Sequence, residues 1–177
     1  MTDVLEILTG GYIIRSAKPE HLPFLNDIEL AAAALFPAGF LPEHILSECV
    51  PSDALACAME KNMLFVAEAA DGTPVGYAFL QTIEDHAFLA EIDVHPAHGQ
   101  RGIGSALIRY AVESLRKTGW TELYLTTFAH IKWNAPFYEK LGFRTLDAKE
   151  QPLFIRNILL EEHRRGLSSR VAMKLSF

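Results

Sequence analysis

Ile92-Asp93-Val94-His95-Pro96-Ala97-His98-Gly99-Gln100-Arg101-Gly102-Ile103-Gly104-Ser105-Ala106-Leu107 is the stretch on which the fold turns. Its first residues end a run from Ala87 to Val94 that reads as a strand, and Pro96 stops the ladder because it has no amide to donate. From Ile103 the spacing changes. Ile103, Leu107, Ile108, Ala111, Val112 and Leu115 trace one face of a long helix that ends at Thr118-Gly119. Between strand and helix lies a glycine-rich turn. Gly102 and Gly104 let main chain approach a bound group closely, and the first helical turn leaves amide donors at the positive end of the macrodipole. Phosphate is a natural guest there, and Arg101 adds a positive charge. The turn matches neither known nucleotide loop: no Lys-Ser or Lys-Thr pair follows the last glycine, and no parallel strand pair precedes the turn. A tight strand-to-helix connection without a ligand would also explain it.

Working outward, residues 1–11 read as a short leader, helical or frayed over 1–10, ahead of one domain over 12–177. Tyr12-Ile13-Ile14-Arg15 is a compact strand, and Leu22, Leu25, Ile28, Ala32 and Leu35 have helical spacing. Phe36-Pro37-Ala38-Gly39-Phe40 breaks that helix, and Pro42 to Glu60 reads as more helix, interrupted near Pro51. Met63–Ala67 and Val75–Leu80 are strands joined by the turn Asp71-Gly72-Thr73-Pro74. After the long helix come a strand at Leu123–Leu125, a short helix from Asn134 to Leu141 closed by Gly142, and strands at Phe143-Arg144 and Arg170–Leu175. Glu161-Glu162-His163-Arg164-Arg165 reads as a solvated helical face. Short connections make the three middle strands antiparallel, and the helical crossover makes the strands flanking the long helix parallel. The class is therefore α/β, with a mixed, mostly antiparallel sheet covered by helices on both faces.

The 177 residues carry a formal net charge of −6, which argues against broad nucleic-acid binding. No basic n-region precedes an apolar run at the N-terminus, and no run approaches the roughly 18 residues of a membrane span. A cytoplasmic protein is expected. Cys49 and Cys57 lack metal-type spacing and read as buried reduced thiols. No histidine pair has zinc spacing, so no metal is expected.

Two segments together are similar to the GNAT superfamily of N-acetyltransferases. Residues 92–107 resemble its acetyl-CoA motif, and Asn134-Ala135-Pro136-Phe137-Tyr138-Glu139-Lys140-Leu141-Gly142-Phe143 resembles its asparagine-to-tyrosine motif, in the family's order. The element order from about residue 12 agrees. The resemblance implies acetyl-CoA as cosubstrate, with main-chain amides of Gln100, Arg101, Gly102, Ile103, Gly104 and Ser105 on its pyrophosphate. It implies that the strand before the turn splays from its neighbour, that Ile92 and Val94 pair with the pantetheine arm as an added strand would, and that an amide near Val94 faces the thioester oxygen. Asn134 is the implied further cofactor contact and Tyr138 the proton donor to the leaving thiolate. Two departures stand out. Gly99 occupies a position usually held by glutamine or arginine, and Asn134 lies four residues before Tyr138 where about seven is usual.

An alkylammonium has a pKa near 10 in water, so transfer to an amine needs a base. Glu91 and Asp93 share one strand face, opposite to Ala90, Ile92 and Val94, and Glu91 is the expected base. Binding a cationic substrate or facing solvent are equally open roles for the two carboxylates. His130, Trp133, Phe36 and Phe40 are candidates for the acceptor pocket, and His95 reads as structural. Ser105 lacks the Gly-x-Ser-x-Gly elbow of a hydrolase nucleophile. The expected activity is acetyl transfer to a primary amine of a small molecule or protein. A non-catalytic acyl-CoA-binding module and another acyl donor such as succinyl-CoA are the alternatives, and a homodimer is left open.

Overall fold

The computed structural model describes residues 6–7 and 10–177. Its strands are β1 (Glu6–Ile7), β2 (Ile13–Ser16), β3 (Leu64–Glu68), β4 (Pro74–Ile83), β5 (His86–Val94), β6 (Glu122–Phe128), β7 (Arg144–Thr145) and β8 (Arg170–Ser176). They form one sheet in the order β1-β2-β3-β4-β5-β6-β8-β7. Every neighbouring pair is antiparallel except β5 with β6. That parallel pair is joined through the long helix α4 (Ile103–Lys117), as its crossover requires.

The period-2 alternation of the strands sorts the core into two faces. Ala78 and Leu80 of β4, Leu89 of β5 and Leu123 and Leu125 of β6 face α4, which buries Ile103, Ala106, Leu107 and Ala111 against them. The short helix α5 (Ala135–Lys140) adds Ala135 and Tyr138 to the same core. On the other face, Tyr77 and Phe79 pack under α1 (Leu22–Ala33) and α3 (Ser52–Glu60) through Leu25, Ile28, Leu55 and Ala58. Between those helices lies the one-turn α2 (Glu43–Leu46).

Three expectations are corrected. The leader read as helical or frayed contributes β1, whose Glu6 and Ile7 pair with Ile14 and Ile13; its other residues up to 9 lie outside the described residues. A helix, α6 (Leu153–Arg164), stands between the last two strands, where the sequence reading had only a helical face over residues 161–165. Its Phe154 and Ile155 cover Phe88, Tyr124 and Ala172, so this helix is held by packing on the sheet. Cys57 is exposed and Cys49 half-buried, so neither is a core thiol.

A bulge in β5 sets up the chemistry. Leu80 faces Leu89 while Phe79 faces Glu91, so Ala90 is the extra residue. One inserted residue shifts the parity of everything after it. Glu91 and Asp93 share the α1 face with Phe79 and Tyr77, opposite Ile92 and Val94 as expected. Ala90 faces the same way as Glu91, contrary to the unbroken alternation, and packs against the α1 and α6 cores.

Candidate active site

β5 and β6 diverge after a single paired position, Phe88 with Tyr124. Among the described residues, the main chain of β5 beyond that point has only β4 as a strand neighbour. Its last amide partner is set by the bond from His95 N to Val75 O at 2.8 Å. In an antiparallel ladder such pairs alternate, so Ile92 and Val94, opposite Ala78 and Gly76, turn their N–H and C=O away from β4 and into the gap. An extended chain laid into the gap meets that free edge.

At the head of the gap the turn has the conformation its glycines imply. Gln100 and Gly102 have φ of 58° and 79°, the left-handed region. A Cβ on Gly102 would meet no atom, so only the backbone angle demands glycine there. At Gly104 a Cβ would sit 3.4 Å from the Phe137 ring, in van der Waals contact, so α4 and α5 lie close there. Gly102 O accepts from Ala106 N, and the amides of Ile103, Gly104 and Ser105 form the unpaired first turn of a 15-residue helix. The Arg101 side chain is turned aside. It donates to the Tyr12 hydroxyl at 3.1 Å, that hydroxyl lies 2.9 Å from His98 Nδ1, and Arg101 is not among the residues lining the cleft. Its charge therefore braces the turn from behind.

The gap opens into a cleft of about 1040 Å³ that passes through the sheet. Gly102, Ser105, Asn134 and Tyr138 line it on the α4 side, and Glu29, Ala32 and Cys49 on the α1 side. Asn134 precedes α5 without capping it, and its Oδ1 is buried with no partner among the described residues. Tyr138 is buried, and desolvation, then Glu91 and Asp93, raise its pKa above that of a free phenol. It stays protonated at any physiological pH.

Glu91 and Asp93 hydrogen-bond each other in the wall of the cleft. Burial first, then the charge of Glu29, pushes Glu91 up to about 7, with Arg170 pulling the other way. Asp93 is raised by burial and then by Glu91 and Glu29. Two carboxylates in one dry site cannot both ionise freely, so the pair takes up its last proton close to neutrality. Glu29 accepts from Val50 N at 2.9 Å and from the Tyr77 hydroxyl at 3.1 Å, and its own pKa is raised by burial.

Of the other expected residues, Phe36 and Trp133 line the cleft, and Phe40 stacks behind Phe36 at 5.5 Å. His130 does not line it. His95 accepts from Ala97 N and caps the turn after β5, and His86 stacks on Phe154 at the far end of the strand. Glu162 is not on a solvated face. Its carboxylate takes Arg170 at 2.8 Å and the Thr126 hydroxyl at 2.6 Å at the edge of the cleft. Glu29, Tyr77, Glu162 and Arg170 were not among the site residues read from the sequence. Glu29 had a signal: it lies four residues after Leu25 and three before Ala32, on the buried stripe of its helix.

Residues 30–143, more than half of the chain, match the acetyltransferase (GNAT) family, and the chain belongs to that family. A ribosomal protein bS18-alanine N-acetyltransferase from Escherichia coli (strain K12) is 33% identical over 73 residues, 41% of this chain and 49% of that protein. A spermidine N(1)-acetyltransferase from Thermoplasma acidophilum is 29% identical over 105 residues, 59% of this chain and 62% of that protein. The chain thus spans about half the length of the first relative and under two thirds of the second. Among solved structures, the PaiA N-acetyltransferase from T. acidophilum in complex with coenzyme A superposes with a TM-score of 0.73 at 20% identity, covering 94% of this chain and 99% of that one. At that identity the likeness is one of fold. No helix among the described residues is long and apolar enough to cross a membrane.

Proposed function

We propose that this chain is an acetyl-CoA-dependent N-acetyltransferase that acts on a primary amine by direct attack in a ternary complex. In this reading it works in the cytoplasm as one domain, residues 12–177 together with the β1 strand that pairs with them. One observation carries the proposal: the cleft crosses the sheet at the β5–β6 gap, so free strand edge, helix start, phenol and carboxylate pair open into one space.

The residues present fit the coenzyme. Amides of residues 100–105 would take the pyrophosphate, as the anion-binding character of a helix start favours. The free edges of Ile92 and Val94 would take the pantetheine amides, and the orphaned Asn134 Oδ1 would accept from an N–H of that arm. When bound, the coenzyme supplies an acetyl group activated as a thioester.

The chain's own groups then manage charge and protons. Glu91, shared with Asp93, accepts a proton from the incoming ammonium and frees the nitrogen lone pair. The Val94 amide hydrogen-bonds the carbonyl oxygen as negative charge develops there. The C–N bond forms, the C–S bond breaks, and the electron pair of the broken bond stays on sulfur. Tyr138 donates to that sulfur. A phenol near 10 is a weaker acid than a thiol near 8.5, so donation alone is uphill by about 2 kcal/mol, and burial of Tyr138 adds to this. The step is favourable as a relay, in which the second nitrogen proton returns to the tyrosine oxygen. The products are the N-acetyl amine, the free thiol and one proton.

Calorimetry with coenzyme A and thiol release from acetyl-CoA across an amine panel test the reading together. Coenzyme binding plus thiol release that depends on amine is expected. Binding without release from any amine would assign the chain to acyl-CoA sensing, and no binding at all would remove the coenzyme from the picture.

A further inference from the structure

The acceptor half of the cleft is roofed. Phe36, from the loop after α1, meets Phe128 of β6 at 5.6 Å and Trp133 beyond β6 at 5.8 Å between ring centres. On the other side Arg165, at the end of α6, is ion-paired with Glu48 between α2 and α3. These two bridges join elements from opposite sides of the gap above the acceptor space. A slender molecule passes beneath them more easily than a folded chain terminus.

Beneath the roof the charge is unbalanced. Glu29, Glu91 and Asp93 line the wall, each raised by burial and by another of the three or by Glu48. Both arginines that line the cleft are already held elsewhere, Arg165 by Glu48 and Arg170 by Glu162. Carboxylates in a dry wall without a paired cation are costly, so the site is complementary to positive charge brought by a ligand. Among the described residues no group of His, Cys, Asp or Glu converges to hold a metal ion. The carboxylates also sit on separate elements, α1 and β5, with Leu35, Phe36 and Leu41 lining apolar wall beside them.

Resting on the acetyltransferase reading, we infer that the acceptor is a small linear diamine or polyamine: one amino group reacts at Glu91 and Asp93, while a second ammonium remains charged against Glu29. The methylene spacer lies along the apolar wall, and the faces of Phe36 and Trp133 add attraction for the cation. Glu29 is held for this role from two sides, by Val50 N and by Tyr77, which fix its carboxylate in place. A monoamine of equal length fills the same space and leaves Glu29 without its partner.

The test compares 1,4-diaminobutane with 1-aminopentane, its monoamine of equal length, and with a short peptide bearing a free N-terminal alanine, on the whole chain. Direct calorimetric binding is read beside thiol release from acetyl-CoA. The diamine is expected to bind and to react at least about tenfold better than the monoamine, the scale of one charge-assisted contact shielded from water. Glu29→Gln, which keeps size and hydrogen bonding, is expected to collapse that ratio. Equal use of diamine and monoamine, a preference for the peptide, or a diamine preference unmoved by Glu29→Gln would each overturn the inference while leaving acetyl transfer intact. A diamine that binds selectively without releasing thiol would instead overturn the transfer reading, and with it the assignment of an acceptor. The wild-type comparison needs no variant to fold.

Discussion

Tyr77 donates its hydroxyl to Glu29 Oε2 at 3.1 Å, linking the middle of β4 to the helix that covers it. This bond joins two groups that the core would otherwise reject, a phenol with none of its surface exposed and a half-buried carboxylate. It lowers the pKa of Glu29 against a larger desolvation effect, so Glu29 keeps enough charge to act on Glu91 and Asp93. Tyr77→Phe is expected to cost about 1 kcal/mol in denaturant unfolding, the net value of one such hydrogen bond. A loss below a few tenths would show that water replaces the hydroxyl.

The carboxylate pair predicts a pH profile. The step at about 7 belongs to Glu91 and removes the first proton of the pair, which frees one carboxylate to serve as base. The kcat/KM is expected to rise tenfold per unit below that point and level off above it. Removing the neighbouring negative charge in Glu29→Gln lowers the pKa of the pair and moves the limb to more acidic pH. Glu91→Gln is expected to lose roughly 10²–10⁴ in kcat, the usual range for a general base, with coenzyme affinity retained. A limb that stays in place in both variants would identify another base.

The same groups make stability depend on pH. A carboxyl whose folded pKa is raised above its unfolded value binds protons more tightly in the native state, so folding is favoured at low pH. For Glu91 the window runs from about 4.3, the ordinary value for glutamate, to about 7. Stability falls as pH rises through it, by up to about 4 kcal/mol. A Tm that falls between pH 5 and pH 8, with a smaller fall in Glu91→Gln, is the expected result in thermal scans. A flat Tm, or one that rises over that range, would show that solvent reaches the pair.

Tyr138 separates an enzyme from a binding module. Its phenol lies in the α4-side core with Ala135 and Phe143, and it is lined up on the cleft at the gap between β5 and β6. Tyr138→Phe keeps that packing and removes only the proton. A drop of about 10²-fold or more in kcat, with coenzyme A affinity within a factor of two of wild type, is expected from loss of the acid. Unchanged turnover would move proton delivery to water.

The orphaned Asn134 Oδ1 predicts opposite effects on folding and binding. An unsatisfied buried oxygen costs about 1–3 kcal/mol, which Asn134→Ala removes. The variant is expected to have a higher Tm without coenzyme and a several-fold weaker affinity for coenzyme A by calorimetry. Parallel losses in both would mean that the side chain supports α5 and not the ligand.

Much of this protein was determined locally. The antiparallel meander of β3, β4 and β5 follows from short turns, and the parallel β5–β6 pair from the α4 crossover. The turn at 99–105 follows from where the glycines stand, since Gly102 needs a left-handed φ that few other residues adopt. These are matters of neighbouring residues, and a sequence shows neighbours. What depended on distant residues was decided only by the tertiary structure. Nothing in His86–Val94 announces that Ala90 bulges, because the register is set by β4. The direction of Arg101 depends on Tyr12, 89 residues away, and the position of Glu162 on Arg170 and Thr126. The acidity of the cleft arises the same way. Glu29 lies 62 residues before Glu91 in the chain, and only the packing of α1 on β4 and β5 brings their charges near enough to shift one another.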